Sequence, residues 1–313
     1  MGARDVFLTS LGHYKLAIGD PMLVSKAPNE VDHNGKARLL RNGLAVVCFA
    51  ALEDFLQSRF RETLERVDGN SARFDDLPEA LRRAALDGVA QGLAAQLRIR
   101  SFDERHRTRM IVDAARAMAS SQTSAYEISP LVFGSHQSNM SIASIKDALR
   151  ILQIDGGWQT LGEVASAANV GHPSLASSFK SFADARHSAA HDARTDVALP
   201  DLLAYAQVAL ATGLAFDALV SRACSRLSQG DPTLLEGGSG SVTALEIPVV
   251  FVEKTADGSA RELGRSRSRA LKIHSNIEDA VSSAIRRPAN NGSLVVILDE
   301  RGVPSAWRTT DLP

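Results

Sequence analysis

From residue 36 to residue 227 apolar side chains recur at steps of three and four, and after the Gly-Gly-Ser-Gly-Ser stretch at 237–241 that spacing stops. Such steps match the pitch of a helix that buries one face. The long first part of the chain is therefore confined to packed helices. Leu40, Leu44, Val47, Ala51 and Phe55 form one stripe, and Leu81, Ala85, Val89 and Leu93 another. Val67-Asp-Gly-Asn-Ser carries turn residues and closes the first run. Proline suits the first turn of a helix, so Pro78, Pro173 and Pro200 mark three starts. The predicted helices cover 36–67, 78–98, 103–121, 141–152, 161–168, 173–190 and 200–227, with a loop over 122–139. Aromatic residues are only 5% of a chain that is 44% apolar, so the core must be built mainly of Ala, Leu and Val, as in close-packed helices.

Beyond the glycines the texture is that of strands. Residues 247–252 are apolar and β-branched, Thr255-Ala-Asp-Gly-Ser reads as a hairpin turn, and 294–298 reads as a buried strand. A short amphipathic helix at 276–287 precedes that strand, and 303–308 follows it after the turn Asp299-Glu-Arg-Gly. The expected fold is mainly α: a multi-helix bundle followed by a small α+β domain. Its parts are an N-terminal extension at 1–35, the helical domain at 36–228, a linker at 229–243 and the α+β unit at 244–313.

A formal net charge of −1 argues weakly against a protein that packages nucleic acid by bulk charge, and any nucleic-acid enzyme here needs a local positive patch. Cys48 and Cys224 lie in apolar helical stretches and form no C-x-x-C pair, which predicts buried free thiols without a structural zinc or a disulfide. The opening Met-Gly-Ala-Arg-Asp-Val-Phe-Leu lacks the apolar stretch of a secretory leader, and no apolar run approaches a membrane span. A cytoplasmic protein with no membrane partner is expected.

One position breaks the helical pattern. Leu175, Phe179 and Phe182 define an apolar face at steps of four and three, and the next place on that face is Arg186. A buried guanidinium costs several kcal/mol unless it is paired. Arg186 must pair with a buried carboxylate such as Glu53, reach solvent at the helix end, or face a cleft or subunit seam that needs positive charge. His187 and His191 follow, one turn apart, and histidine moves protons near neutral pH.

The segment FADARHSAAHDARTDV at 182–197 resembles the HEPN superfamily, whose signature is Arg-x(4–6)-His with a polar residue after the arginine. Here these are Arg186, His187 and His191, with His187 in place of the commoner asparagine. The motif falls between the last two predicted helices, as in that family. Ala50-Ala-Leu-Glu-Asp-Phe-Leu is similar to the opening helix of the RiboL-PSP-HEPN-like group. The resemblance covers roughly 36–227 and implies a metal-independent endoribonuclease that needs no cofactor and works as a homodimer on RNA. It implies attack by the ribose 2′-OH, 2′,3′-cyclic phosphate ends, Arg186 on the phosphate and His191 as acid and base, with His187 as a second candidate. Arg194 and Arg105 are the expected further phosphate contacts; charged runs lie at 105–109 and 265–269. Family members often act as toxins or antiviral effectors, which implies an antitoxin or defence-system partner.

Two other functions compete. His187, His191, Asp192 and Asp196 would hold a divalent ion if a third ligand lay at the right spacing. A non-catalytic RNA-binding or assembly module would keep Arg186 and tolerate loss of His191. The segment from Asn276 onward resembles one CBS motif, with Arg308 replacing that family's ligand-contacting Ser or Thr three residues before the terminal Asp311. Geometry adds a constraint: five residues on a straight helix separate Arg186 and His191 by about 140°. The two converge on one substrate only if the helix breaks near Ala190 or the site is shared by two chains.

Overall fold

The chain's fold, seen in a computed structural model, is described for residues 2–67, 73–98, 102–132, 140–192, 194–235, 237–264, 269–287 and 290–311. Its helices are α1 (Ala3–Ile18), α2 (Val31–Leu64), α3 (Glu79–Arg83), α4 (Val89–Gln96), α5 (Glu104–Ser120), α6 (Ile142–Ile151), α7 (Trp158–Ala167), α8 (Leu175–His191), α9 (Leu199–Ser228) and α10 (Ile277–Arg286). Side-chain caps explain several starts. Asp103 accepts from the His106 N–H, Ser141 from Ser144, Ser174 from Ser177 and Asn276 from Asp279, each satisfying a donor that a first helical turn leaves unpaired. α3 and α4 form one run joined by a π-turn at Ala84–Gly88, where a single α-helix was expected over 78–98.

α2 and α9 form the axis of the bundle, with α1, α7 and α8 packed around them. Phe7 of α1 stacks on Phe55 of α2 at 4.7 Å. A side chain at Gly213 of α9 would meet both rings at 3.1–3.2 Å, so glycine sets that close approach. On the other side of α2, Phe49 packs against Phe179 and Phe182 of α8.

Three expectations need correction. The stripe counted on α2 is only in part its core face: Phe55 is buried and Leu44 and Ala51 pack against the core, but Leu40 is 48% and Val47 60% exposed, while Ala37, Ala45, Cys48, Leu52 and Leu56 are buried off the stripe. Three neighbours cover α2, so its buried face is wide, and the remaining narrow strip shows apolar residues to solvent. The segment set apart as an N-terminal extension is part of the bundle, because α1 buries Phe7, Leu11, Tyr14 and Ile18. One helix does have the length and hydropathy of a membrane span: α9, with a window of mean hydropathy 1.5. That window is 78% buried inside the protein, and packing accounts for its composition.

The C-terminal unit is a five-stranded sheet of order β3-β2-β1-β4-β5: β1 (Val249–Lys254), β2 (Ala260–Leu263), β3 (Ala270–His274), β4 (Leu294–Leu298) and β5 (Pro304–Thr309). β1 and β4 run parallel, with β2, β3 and α10 in the connection, and the other pairs are antiparallel. Alternation along the strands gives the sheet two apolar faces. Val250, Val252 and Val295 pack under Ala280 and Ala284 of α10. Phe251, Val296, Leu298 and Trp307 face the other way and join the core of the helical bundle. The linker stretch is tied to the bundle by side-chain and backbone hydrogen bonds. Arg226 of α9 holds Asp231 at 2.8 Å, Glu246 at 2.6 Å and the Thr233 hydroxyl at 2.7 Å, and the Val242 N–H donates to the Gln153 carbonyl.

Sheet and bundle meet at a buried carboxylate. Asp217, in the middle of apolar α9, accepts from Arg4 Nε at 2.7 Å, Arg59 Nε at 2.6 Å, Ser221 Oγ at 2.9 Å and Trp307 Nε1 at 2.7 Å. Arg4 also donates to Thr309 of β5. Burial pushes the Asp217 carboxyl up, but the two arginines outweigh it and hold it well below the usual carboxylate range.

Candidate active site

α8 carries the motif, and the phase count holds. Leu175, Phe179 and Phe182 are buried, and Arg186 follows on the same face, 17% exposed at its side chain. The guanidinium lies over the Phe49 ring, 5.9 Å from its centroid. Its Nη2 is 4.0 Å from Oε2 of Glu53, whose side chain is 14% exposed. At that distance the pair is a loose Coulomb contact rather than a hydrogen bond. The Arg186 Nε–H is buried and has no hydrogen-bond partner. Glu53 is anchored from elsewhere: its Oε1 accepts the backbone N–H of Met140, just before α6. Burial raises the Glu53 carboxyl above the usual range, against the opposing pull of that N–H and of Arg186.

His187 and His191 stand on the exposed side of the same helix, ring centroids 4.7 Å apart. α8 is regular through His191 and turns extended only at Asp192, φ −118° and ψ 109°. No break separates Arg186 from His191, so the angle of about 140° stands. Within one chain the two side chains leave α8 in different directions.

The loop after the motif is gripped by α2. Asn42 donates to the Thr195 carbonyl at 2.7 Å and accepts the Val197 N–H at 3.1 Å. Arg41 binds the Val197 carbonyl at 2.8 Å, the Leu23 carbonyl at 2.7 Å and the Asp196 carboxylate at 2.5 Å. Asp192 caps its own turn through the Arg194 N–H, and Asp184 pairs with Lys180. Both carboxylates are thus occupied without a histidine. Asp196 is likewise held by Arg41, and among the described residues no group of three His, Cys, Asp or Glu is placed to bind a metal ion.

The other expected contacts are dispersed. Arg194 is 93% exposed and lies near its neighbour Asp192 at 3.6 Å. Arg105 is exposed on α5, in an open groove with Thr108, Arg109 and Val112, and α5 packs on α4 rather than on α8. Of the run 265–269, residues 265–268 lie outside the described residues. In the segment resembling a CBS motif, Arg308 pairs with Asp5 of α1 at 2.9 Å and Asp311 faces Arg222 of α9 at 3.5 Å, so these side chains fasten the sheet to the bundle. A cleft of about 680 Å³ lined by Trp158, Glu163, His172 and Ser174 opens at the far end of α8.

Sequence reasoning named Glu53 only as a neutralising partner and missed Met140, Asn42 and Arg41. A signal for the last two was present, since Arg41 and Asn42 interrupt the apolar run of α2 as Arg186 interrupts that of α8. Comparison with curated proteins finds no match, and comparison with solved structures finds none. A family model does match: the RiboL-PSP-HEPN model aligns with residues 22–221, well over half of the chain and including the whole Arg186–His191 element, and the chain belongs to that family.

Proposed function

We propose that the chain is a metal-independent endoribonuclease whose active centre forms where two copies bring their α8 helices together. The family match supports an RNA-related, nuclease-type function. The observation that carries the finer reading is Arg186 itself, a shielded guanidinium with an unpartnered Nε–H, on the same helix as two exposed histidines one and five residues further on. RNA supplies its own nucleophile. His191 accepts the 2′-OH proton as O2′ bonds to phosphorus, Arg186 binds the non-bridging oxygens, and the P–O5′ bond breaks. A second imidazolium, from the other copy or from His187, protonates O5′, leaving a 2′,3′-cyclic phosphate and a 5′-hydroxyl. No cofactor enters this scheme.

The angle between Arg186 and His191 supports assembly across a two-fold axis, which doubles each group. The exposed apolar strip of α2, Leu39, Leu40 and Val47, is the further surface this reading assigns to contact between the two copies. In this reading the enzyme acts on cytoplasmic RNA as a toxin or antiviral effector, restrained by an antitoxin or defence-system partner. The test is cleavage of labelled RNA in EDTA by the purified protein, by Arg186→Ala, by His191→Ala and by Leu40→Asp/Val47→Asp. Cleavage by the parent, reduced by orders of magnitude in each variant and with the last one monomeric in sedimentation, is expected. Equal cleavage by the parent and both motif variants would sink the assignment. RNA binding without cleavage by all of them would favour a non-catalytic module, which the outward histidines also suit.

A further inference from the structure

We infer that Glu53 is the positioning residue of the motif arginine, holding the Arg186 guanidinium at a set place and tilt for a phosphate group of RNA. The inference rests on the reading of Arg186 as the phosphate-binding group. The geometry is that of a cradle with two walls and one open edge. The Phe49 ring supports one face of the guanidinium at 5.9 Å. The Glu53 carboxylate approaches one Nη from the side at 4.0 Å. The Nε–H edge is left without a partner.

Glu53 is built for this task rather than for neutralisation. A carboxylate that merely cancelled a buried charge would close on the guanidinium as a short bidentate pair. Here the contact is long, because Oε1 is committed to the Met140 N–H and the carboxylate cannot swing toward Arg186. Glu53 is thus fixed at two points, by α2 and by the entry to α6, and presents its second oxygen at a set distance. A planar guanidinium held on one side and against an aromatic face keeps its remaining N–H groups aligned and available for a tetrahedral anion. With the carboxylate gone, the long side chain regains its rotamers, and misplacement by about 1 Å is enough to cost on the order of a hundredfold in rate.

A double-mutant cycle over Glu53→Gln and Arg186→Ala tests this, read twice: as kcat and KM for RNA cleavage, and as affinity for a 2′-O-methyl oligoribonucleotide that cannot react. Glu53→Gln is expected to lower kcat on the order of tenfold to a hundredfold and to weaken binding of the unreactive oligoribonucleotide by a smaller factor. In the double variant it is expected to have no further effect, since a group acting only through Arg186 is silent without it. Glu53→Asp serves as the fold control and recovers part of the loss. Additive effects in the cycle, or unchanged or faster cleavage by Glu53→Gln, overturn the inference while the ribonuclease reading stands. A non-additive binding cycle with no cleavage by the parent leaves positioning in place and removes the ribonuclease reading. No binding and no cleavage by the parent removes both.

Discussion

Replacing Asp217 by Asn should cost the fold more than any substitution at the motif. Asp217 is fully buried and faces two guanidinium groups that are themselves shielded, at 6% and 7% side-chain exposure. Asparagine keeps the size and can still accept from Ser221 or Trp307, but it leaves both cations without their counter-charge. Breaking a buried ion cluster in this way costs about 3–5 kcal/mol. With an unfolding entropy of about 2.1 cal/mol/K per residue, a chain of this length should lose roughly 5–8 °C in Tm. The assay is urea unfolding followed by tryptophan fluorescence, since Trp307 donates to Asp217 and reports the site directly. The pH dependence supplies the internal check. The carboxyl is depressed in the folded state. Its contribution is therefore present above the unfolded value of about 3.9 and disappears as pH falls through the lower folded value. The penalty for Asp217→Asn should accordingly be full at pH 7 and shrink in acid below about pH 4. A penalty under about 1 kcal/mol at pH 7, or one that does not change with pH, would refute the claim that charge holds sheet and bundle together.

Two more outcomes follow from burial. Burial pushes the Cys48 and Cys224 thiols up to about 12, so at pH 8 roughly one in ten thousand is ionised; neither should react with iodoacetamide until the chain unfolds, and mass spectrometry of the native protein after alkylation checks this. Asn42→Ala orphans the Thr195 carbonyl and the Val197 N–H, a loss of about 1–3 kcal/mol, and faster amide exchange confined to residues 194–197 is the expected signature; protection equal to that of the parent there would show that Arg41 alone holds the loop.

What could be read from the sequence was whatever depends on a single helix. Periodicity and caps located α5 through α10 to within a few residues, and the phase of α8 put Arg186 beside Phe179 and Phe182, as found. What needed the structure was anything set by a neighbour. The strip Leu40–Val47 has the same periodicity as a core face, and only the placement of α1, α8 and α9 decides which side of α2 is covered. α1 was set apart as an extension because its stripe is short; its burial comes from the fit of Phe7 between Phe55 and Trp307, residues distant in sequence. β3 went unread because it is an exposed edge strand without an apolar run, Lys272 standing between Leu271 and Ile273. Asp217 was a legible warning, a lone carboxylate in an apolar helix that demands a buried partner. Its partners lie 213 and 158 residues away, and no local pattern names them.

One helix links the two clusters that matter most, and this determines how loss of function must be read. α2 carries Asn42 and Glu53 at the motif and Arg59 at the Asp217 cluster. Seventeen residues of helix separate Asn42 from Arg59, about 25 Å along a single rigid rod. Any substitution that loosens α2 can therefore lower activity without touching the site. The two causes separate by their signatures. A change at Asp217 lowers stability and should leave kcat of the folded protein unaltered, because none of its contacts reaches α8. A change at Glu53 should do the reverse, since it removes one backbone hydrogen bond and one long ion contact rather than the counter-charge of two buried cations. If Asp217→Asn lowers kcat well below the temperature at which it begins to unfold, the C-terminal sheet acts on the site through α2, and the motif cannot be treated as a property of the helical bundle alone.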